Sequence, residues 1–204
     1  LAGPANKQGR ICANNICGAN ETYNGTQGTA IAKVFDMSVA STGVNEKSLK
    51  KRGLVYKKDY FSVLIYQKSH AGYYPGAEPI ALKMLFDPNG KIFGAQIVGQ
   101  DGVDKRIDIL ATTIRLGGTI NDLKELELAY APPYSSAKDP VNMVGFVAEN
   151  ILSGKVDFLR WNEIETLDLE NATILDVREN GEREIACVKN SYHIPLGQLR
   201  KRLC

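Results

Sequence analysis

Ile80 to Phe86 and Lys91 to Val98 are two apolar-rich runs of strand length, separated only by Asp87-Pro88-Asn89-Gly90. Asn-Gly supplies the positive φ angles of a tight turn, so the two runs are predicted to close as a β-hairpin and the chain must hold an antiparallel sheet. Other segments extend that sheet. Leu54 to Lys68 alternates through Tyr60, Ser62, Leu64 and Tyr66 and is predicted to be the longest strand. Thr29 to Ser41, with Ile31, Val34, Phe35, Val39 and Ala40, reads as two short strands or one bulged strand around Asp36.

The helices carry their own start and stop signals. Val103, Ile107, Leu110 and Ile114 recur at helical spacing with Asp104, Lys105 and Asp108 on the other side, and Gly117-Gly118 ends the run. Thr119 and Asp122 form a capping-box pattern for a short helix through Glu127, and Asn45 can cap another that ends at Gly53. Asp139-Pro140 reads as N-cap and first helical position of a helix to Leu152, with Val141, Val144, Val147, Ala148 and Ile151 inward and Gly154 as stop. At the other end, Pro4 and then Asn6 to Cys17 predict a helix whose apolar contacts come from Ile11, Ala13 and Ile16. The fold class is α+β. After Gly154 the texture changes: 155 to 169 is a connector, Thr173-Ile-Leu-Asp-Val-Arg-Glu179 reads as a buried strand, and His193-Ile-Pro-Leu196 opens another element.

Composition narrows the functional classes. Twenty-five basic residues against 23 acidic leave a net charge of +2, which gives no electrostatic support to a nucleic-acid or membrane-surface role. No apolar run approaches the ~20 residues of a membrane span. Four cysteines in 204 residues are too few for a disulfide scaffold, so the expected setting is a reducing cytoplasm. The start at Leu1 without Met, lacking the pattern of a secretory signal, predicts a piece of a longer polypeptide.

The candidate chemistry centres on phenols. Tyr130-Ala-Pro-Pro-Tyr-Ser-Ser-Ala-Lys-Asp-Pro140 sets two tyrosines around two prolines, stiffening the backbone just outside a helix N-terminus. Alone it reads either as a stiff interhelical loop with its rings packed or as a built site. His70-Ala-Gly-Tyr-Tyr-Pro-Gly76 is a second such loop, again at the end of an element, where sites concentrate. Several phenols aimed at one point would stabilise a thiolate, an oxyanion or a flavin intermediate. His70 itself is expected to be a hydrogen-bonded strand-end histidine, and His193 is likewise isolated in sequence. Cys12 and Cys17 have the spacing of a redox pair, but five helical steps of ~1.5 Å and side chains diverging by about 140° oppose a disulfide. Two buried helix thiols are expected instead. No zinc site completes around them, and no phosphate loop, dinucleotide fingerprint or Ser/His/Asp order is present.

Five segments together resemble one family. Leu1-Ala-Gly-Pro-Ala-Asn-Lys-Gln-Gly-Arg10, His70 to Gly76, Gly99-Gln-Asp-Gly-Val-Asp-Lys-Arg-Ile-Asp108, Tyr130 to Pro140 and Gly145-Phe-Val-Ala-Glu-Asn-Ile151 are similar, in order, to the C-terminal part of CoA-disulfide reductases and related NADH oxidases. Leu175-Asp-Val-Arg-Glu179 and His193 to Leu199 resemble the first half of a rhodanese domain. The resemblance implies four parts: residues 1–19 as the last helix of an FAD-binding domain, 20–154 as a dimerisation domain with helices on one side of an antiparallel sheet, 155–170 as a linker, and 171–204 as an incomplete α/β rhodanese-like segment. It implies FAD, NAD(P)H and CoA as cofactors and substrate, and a homodimer in which tyrosines close over the partner's cysteine. Tyr74 and Tyr134 take that role first, Tyr73 and Tyr130 second. Leu1, Ala2, Pro4, Ala5, Lys7 and Phe146 are the implied cofactor contacts, and no metal is implied.

The active-site cysteine and both nucleotide fingerprints would then lie upstream of Leu1, and the sulfur-accepting cysteine of the rhodanese half beyond Leu203. Within the resemblance an NADH oxidase, using a cysteine sulfenic acid, is the alternative chemistry. A non-catalytic dimerisation module is the alternative class. Residues after about 160 are expected to be only partly ordered in isolation.

Overall fold

The computed structural model describes residues 2–202 and divides them into two compact units, up to Val156 and from Asp157. The first unit opens with α1 (Ala2–Ile16) and continues through β1 (Ala30–Val34), β2 (Met37–Gly43), α2 (Glu46–Lys51), β3 (Phe61–Lys68), β4 (Pro79–Phe86) and β5 (Ile92–Gly99). It closes with α3 (Val103–Arg115), α4 (Ile120–Glu125) and α5 (Pro140–Leu152). The strands form one antiparallel sheet in the order β1-β2-β5-β4-β3. The expected hairpin is therefore its centre.

Alternation decides which face is covered. Val63 and Ile65 on β3, Ile80, Leu82, Met84 and Phe86 on β4, and Ala95 and Ile97 on β5 share a face and pack against Val103, Ile107, Leu110, Ile120, Leu123, Val141, Val144 and Ala148. Helices α3 to α5 thus lie on one side, as the α+β reading expects. One end of the other face is covered differently. Leu85 points away from Met84 and packs with Leu49 of α2 and Tyr60, while Lys83 meets Glu46 of α2 at 2.6 Å. The rest of that face leaves Val39, Leu64, Tyr66 and Val98 exposed.

Local signals are met with instructive differences. Asp139 accepts from the Val141 amide at 2.9 Å with Pro140 at the first helical position, and Thr119 with Asp122 forms the capping box. The central turn uses one left-handed residue rather than two. Gly90 has φ 82°, whereas the Asp87 carboxylate accepts from the Asn89 and Lys91 amides, and the register shifts at Leu85/Phe86. A side-chain-capped turn with a glycine bulge replaces the two-residue form. The Leu54 alternation yields strand only from Phe61, because 54–60 turns back to lay Tyr60 on Leu85, so β3 is no longer than β4 or β5. Phe35 and Asp36 turn β1 into β2, giving two strands rather than one bulged one. Helix α1 buries none of its side chains, Ile16 is exposed, and Cys12 and Cys17 are exposed thiols rather than buried ones.

In the second unit β6 (Leu175–Asp176) pairs in parallel with β7 (Tyr192–His193), beside α6 (Asn180–Ile185) and α7 (Leu196–Leu199). The expected buried strand shortens to two residues, with Leu175 exposed and Asp176 buried. Asp176 binds Arg178 through both oxygens at 3.0 and 2.8 Å, with Arg183 at 3.4 Å. The Arg178 hydrogen bonds hold this carboxyl far below the usual carboxylate range.

Two outcomes follow from this packing. A Cβ on Gly94 would press into the Val44 carbonyl, with the Val44 amide at 2.6 Å and the Thr42 carbonyl at 2.7 Å, so Gly94→Ala is expected to cost about 1–3 kcal/mol in urea unfolding. Because the folded value of Asp176 is depressed, its contribution is complete above the unfolded value of about 3.9 and declines as pH falls below it. Acid titration of the β6–β7 amide signals should show that loss, and Asp176→Asn should abolish its pH dependence.

Candidate functional site

Two connections meet beside the N-terminus of α5: the β3–β4 loop, from Ser69 to Glu78, and the loop from Leu126 to Asp139. Each is stiffened from within. Ser69 and Glu78 close the base of the first through the Ser69 amide on the Glu78 carbonyl at 2.8 Å. In the second, the Tyr134 and Ser135 amides both donate to the Ala131 carbonyl, a turn whose first corner Pro132 presets. The loops are then joined to each other. The Ala71 amide donates to the Ser135 carbonyl at 3.0 Å and the Pro132 carbonyl at 3.3 Å.

This junction brings Tyr73 and Tyr130 into contact, hydroxyl to hydroxyl, at 3.2 Å across 57 residues of sequence. Of the two hydroxyl hydrogens, one lies between the oxygens and the other remains to donate outward. The Tyr130 hydrogen bond raises the Tyr73 phenol above its ordinary value, so at neutral pH it stays a proton donor. Tyr74 is occupied otherwise: its ring meets His70 edge-on at 5.7 Å. His70 is buried, with Nδ1 3.2 Å from the Ala71 carbonyl, in keeping with a hydrogen-bonded strand-end residue. Tyr134 is exposed. The pair that touches is therefore the one the resemblance ranks second.

Beneath the loops lies a group that the sequence pattern did not single out. Arg106 of α3 is completely buried and meets Asp139 through both carboxylate oxygens, at 3.2 Å from Nε and 2.9 Å from Nη2. Its Nη2 also donates to the Ser69 carbonyl at 2.7 Å and Nη1 to the Gly102 carbonyl at 2.9 Å. Asp139 in turn accepts from the Ser135 hydroxyl at 2.6 Å. The available signal was phase: Arg106 is three residues after Val103 and four before Leu110, on the apolar side of α3.

The implied cofactor contacts fall elsewhere. Leu1 lies outside the described residues. Ala2, Ala5 and Lys7 are exposed and Pro4 half-buried on α1, and Pro4 and Lys7 border an open cleft of about 710 Å³ with Arg10, Tyr23, Thr112 and Arg115. Phe146 is half-buried on α5, with the Lys138 ammonium 5.8 Å over its ring. Among the described residues no group of three His, Cys, Asp or Glu side chains is placed to hold a metal ion, and no helix is long and apolar enough to cross a membrane.

The chain is similar to known proteins in sequence and in fold. The model of the pyridine nucleotide-disulphide oxidoreductase dimerisation domain matches residues 29–140. Coenzyme A disulfide reductase of Staphylococcus aureus (strain bovine RF122 / ET3-1) is 42% identical over 152 residues, which are 73% of this chain and 33% of that protein. The crystal structure of reduced Bacillus anthracis CoADR-RHD superposes with a TM-score of 0.93 at 51% identity, over 100% of this chain and 36% of that one. A NAD-dependent persulfide reductase from A. fulgidus gives 0.85 at 44%, over 98% and 35%. The chain spans about a third of the length of the curated relatives it matches.

Removing the guanidinium alone would strand a buried carboxylate. Arg106→Ala is therefore expected to lose about 3–5 kcal/mol of stability by denaturant unfolding, and Arg106→Met with Asp139→Asn, which removes both charges, considerably less.

Proposed function

Because the chain belongs to the pyridine nucleotide-disulphide oxidoreductases, whose dimerisation domain it carries, we propose that it is the dimerising, site-completing part of a flavin-dependent NAD(P)H disulfide reductase acting on a CoA-based disulfide, persulfide or polysulfide. One observation carries the reading: the hydroxyl contact of Tyr73 and Tyr130 between two loops far apart in sequence. Paired phenols with one free donor suit a soft anion. When a thiolate attacks a disulfide, the bond between the two sulfurs breaks and the departing sulfur takes the electron pair. A phenol hydrogen aimed at that sulfur stabilises the charge as it forms, and because the phenol holds its proton more tightly than a thiol does, it acts by donating a hydrogen bond to the thiolate.

The nucleophilic thiolate would come from the partner subunit of a homodimer, outside these residues, and Tyr73 and Tyr130 would close over it. Tyr74 would brace the first loop through His70, and Tyr134 would flank the site from the second. On this reading residues 1–19 complete a flavin domain, 20–154 dimerise, and 155–170 link to a rhodanese-like start at 171–204. The parallel β6–β7 pair and its Asp176-Arg178 contact support that last assignment.

The first turn of α1 is exposed except at the half-buried Pro4 and has no acidic side chain, with Lys7 one turn on, which fits the edge of a flavin. Ala2, Pro4, Ala5 and Lys7 would hold it. When bound, the flavin accepts hydride from NAD(P)H and passes two electrons on. The setting is the cytoplasm, where CoA thiols are kept reduced.

In the full-length flavoprotein, Tyr73→Phe and Tyr130→Phe are each expected to slow disulfide reduction by roughly 10²-fold while leaving flavin reduction by NAD(P)H nearly unchanged, as read by stopped-flow absorbance. Equal losses in both half-reactions would refute the role. Sedimentation of this chain at high micromolar concentration should give a dimer.

A further inference from the structure

Two exposed hydroxyls on separate loops stay in contact only if something beneath sets the height of each loop. Tyr73 lies two residues beyond Ala71, and Tyr130 two residues before Pro132. Neither ring belongs to the apolar core. Their restraint must come through the backbone that carries them.

That backbone closes a ring of hydrogen bonds. Arg106 Nη2 donates to the Ser69 carbonyl; the chain runs through His70 to Ala71; the Ala71 amide donates to the Ser135 carbonyl; the Ser135 hydroxyl donates to Asp139; and Asp139 returns to Arg106 through both oxygens. Ser69, Ala71, Arg106, Ser135 and Asp139 are all buried, so water does not compete for these links. We propose that Arg106, acting through Asp139 and Ser135, is the positioning residue of the phenol pair: one guanidinium sets the separation of the two loops and with it the contact between Tyr73 and Tyr130. This rests on the phenol-pair reading above and adds to it the device that holds the pair.

The geometry demands arginine rather than any cation. The planar fork reaches two carboxylate oxygens and two carbonyls, those of Ser69 and Gly102, from one rigid group. An ammonium has three donors on a flexible stem and cannot span all four acceptors. Glycine at 102 is part of the same fit, since a Cβ there would overlap Arg106 Nη1. The Ser135 hydroxyl is the smallest removable link, lying on the phenol loop itself.

The test uses the 204-residue chain labelled with [13Cζ]tyrosine, its nine tyrosines assigned by single Tyr→Phe changes and titrated by NMR. In the native chain Tyr73 is expected to titrate above the ordinary phenol value, and Tyr130→Phe should change that. Ser135→Ala and Arg106→Lys should return Tyr73 towards the ordinary value with far-UV dichroism unchanged, and Ser135→Thr should restore the raised value. If both folded variants keep the native Tyr73 titration, the ring does not position the pair and the proposal fails. If Arg106→Lys unfolds, Ser135→Ala against Ser135→Thr decides by the same readout. An ordinary Tyr73 titration in the native chain itself would instead overturn the phenol pair, leaving the ring nothing to position.

Discussion

A single guanidinium organises the first unit. Arg106 lies where α3 leaves the sheet, where β3 ends and where α5 begins, and it bonds to all three places. A charge taken completely out of water is costly unless it is paired and hydrogen-bonded, and here a carboxylate and two carbonyls accept from all three guanidinium nitrogens. Those partners cannot move independently. The last residue before the first phenol loop, the left-handed Gly102 and the N-cap of α5 are fixed by the same planar group. The cap inherits a second duty: Asp139 satisfies the first turn of its own helix through Val141 while binding Ser135 and Arg106.

The frame around that group was legible because its signals are local. Asp139-Pro140 and Thr119-Asp122 each name a helix start from side-chain chemistry alone, and both are observed with their expected hydrogen bonds. The hairpin between β4 and β5 was equally visible, although its turn is built by the Asp87 carboxylate as much as by Asn-Gly. What periodicity misread depends on distant packing. Tyr60 fits an alternating strand pattern, yet its ring has a better place over Leu85 and Leu49, so the chain turns there and the strand begins one residue later. Cys12 and Ile16 fit an amphipathic helix that this chain leaves uncovered.

The site was half legible for the same reason. Two loops of paired phenols stood out by composition, but composition could not say which phenol of each pair would meet the other. That choice is made by the Ala71 amide, which joins the loops through Ser135 and Pro132, and by His70, whose buried ring engages Tyr74. Arg106 was hidden among charged neighbours, Asp104, Lys105 and Asp108, and only its phase on α3 separates it from them.

A buried ion pair is an uncommon choice for holding loops, since apolar side chains of the same volume often stabilise a fold as well or better. Apolar contacts, however, are not directional, and a loop resting on them can slide by fractions of an ångström at little cost. Two hydroxyls 3.2 Å apart lose their hydrogen bond over such a slide. Directional bonds from a rigid fork resist it, because any shift of one loop lengthens bonds to an acceptor that cannot find water instead. The requirement for arginine at 106 and for a hydroxyl at 135 thus follows from what the phenols need, which is a fixed separation more than a stable core.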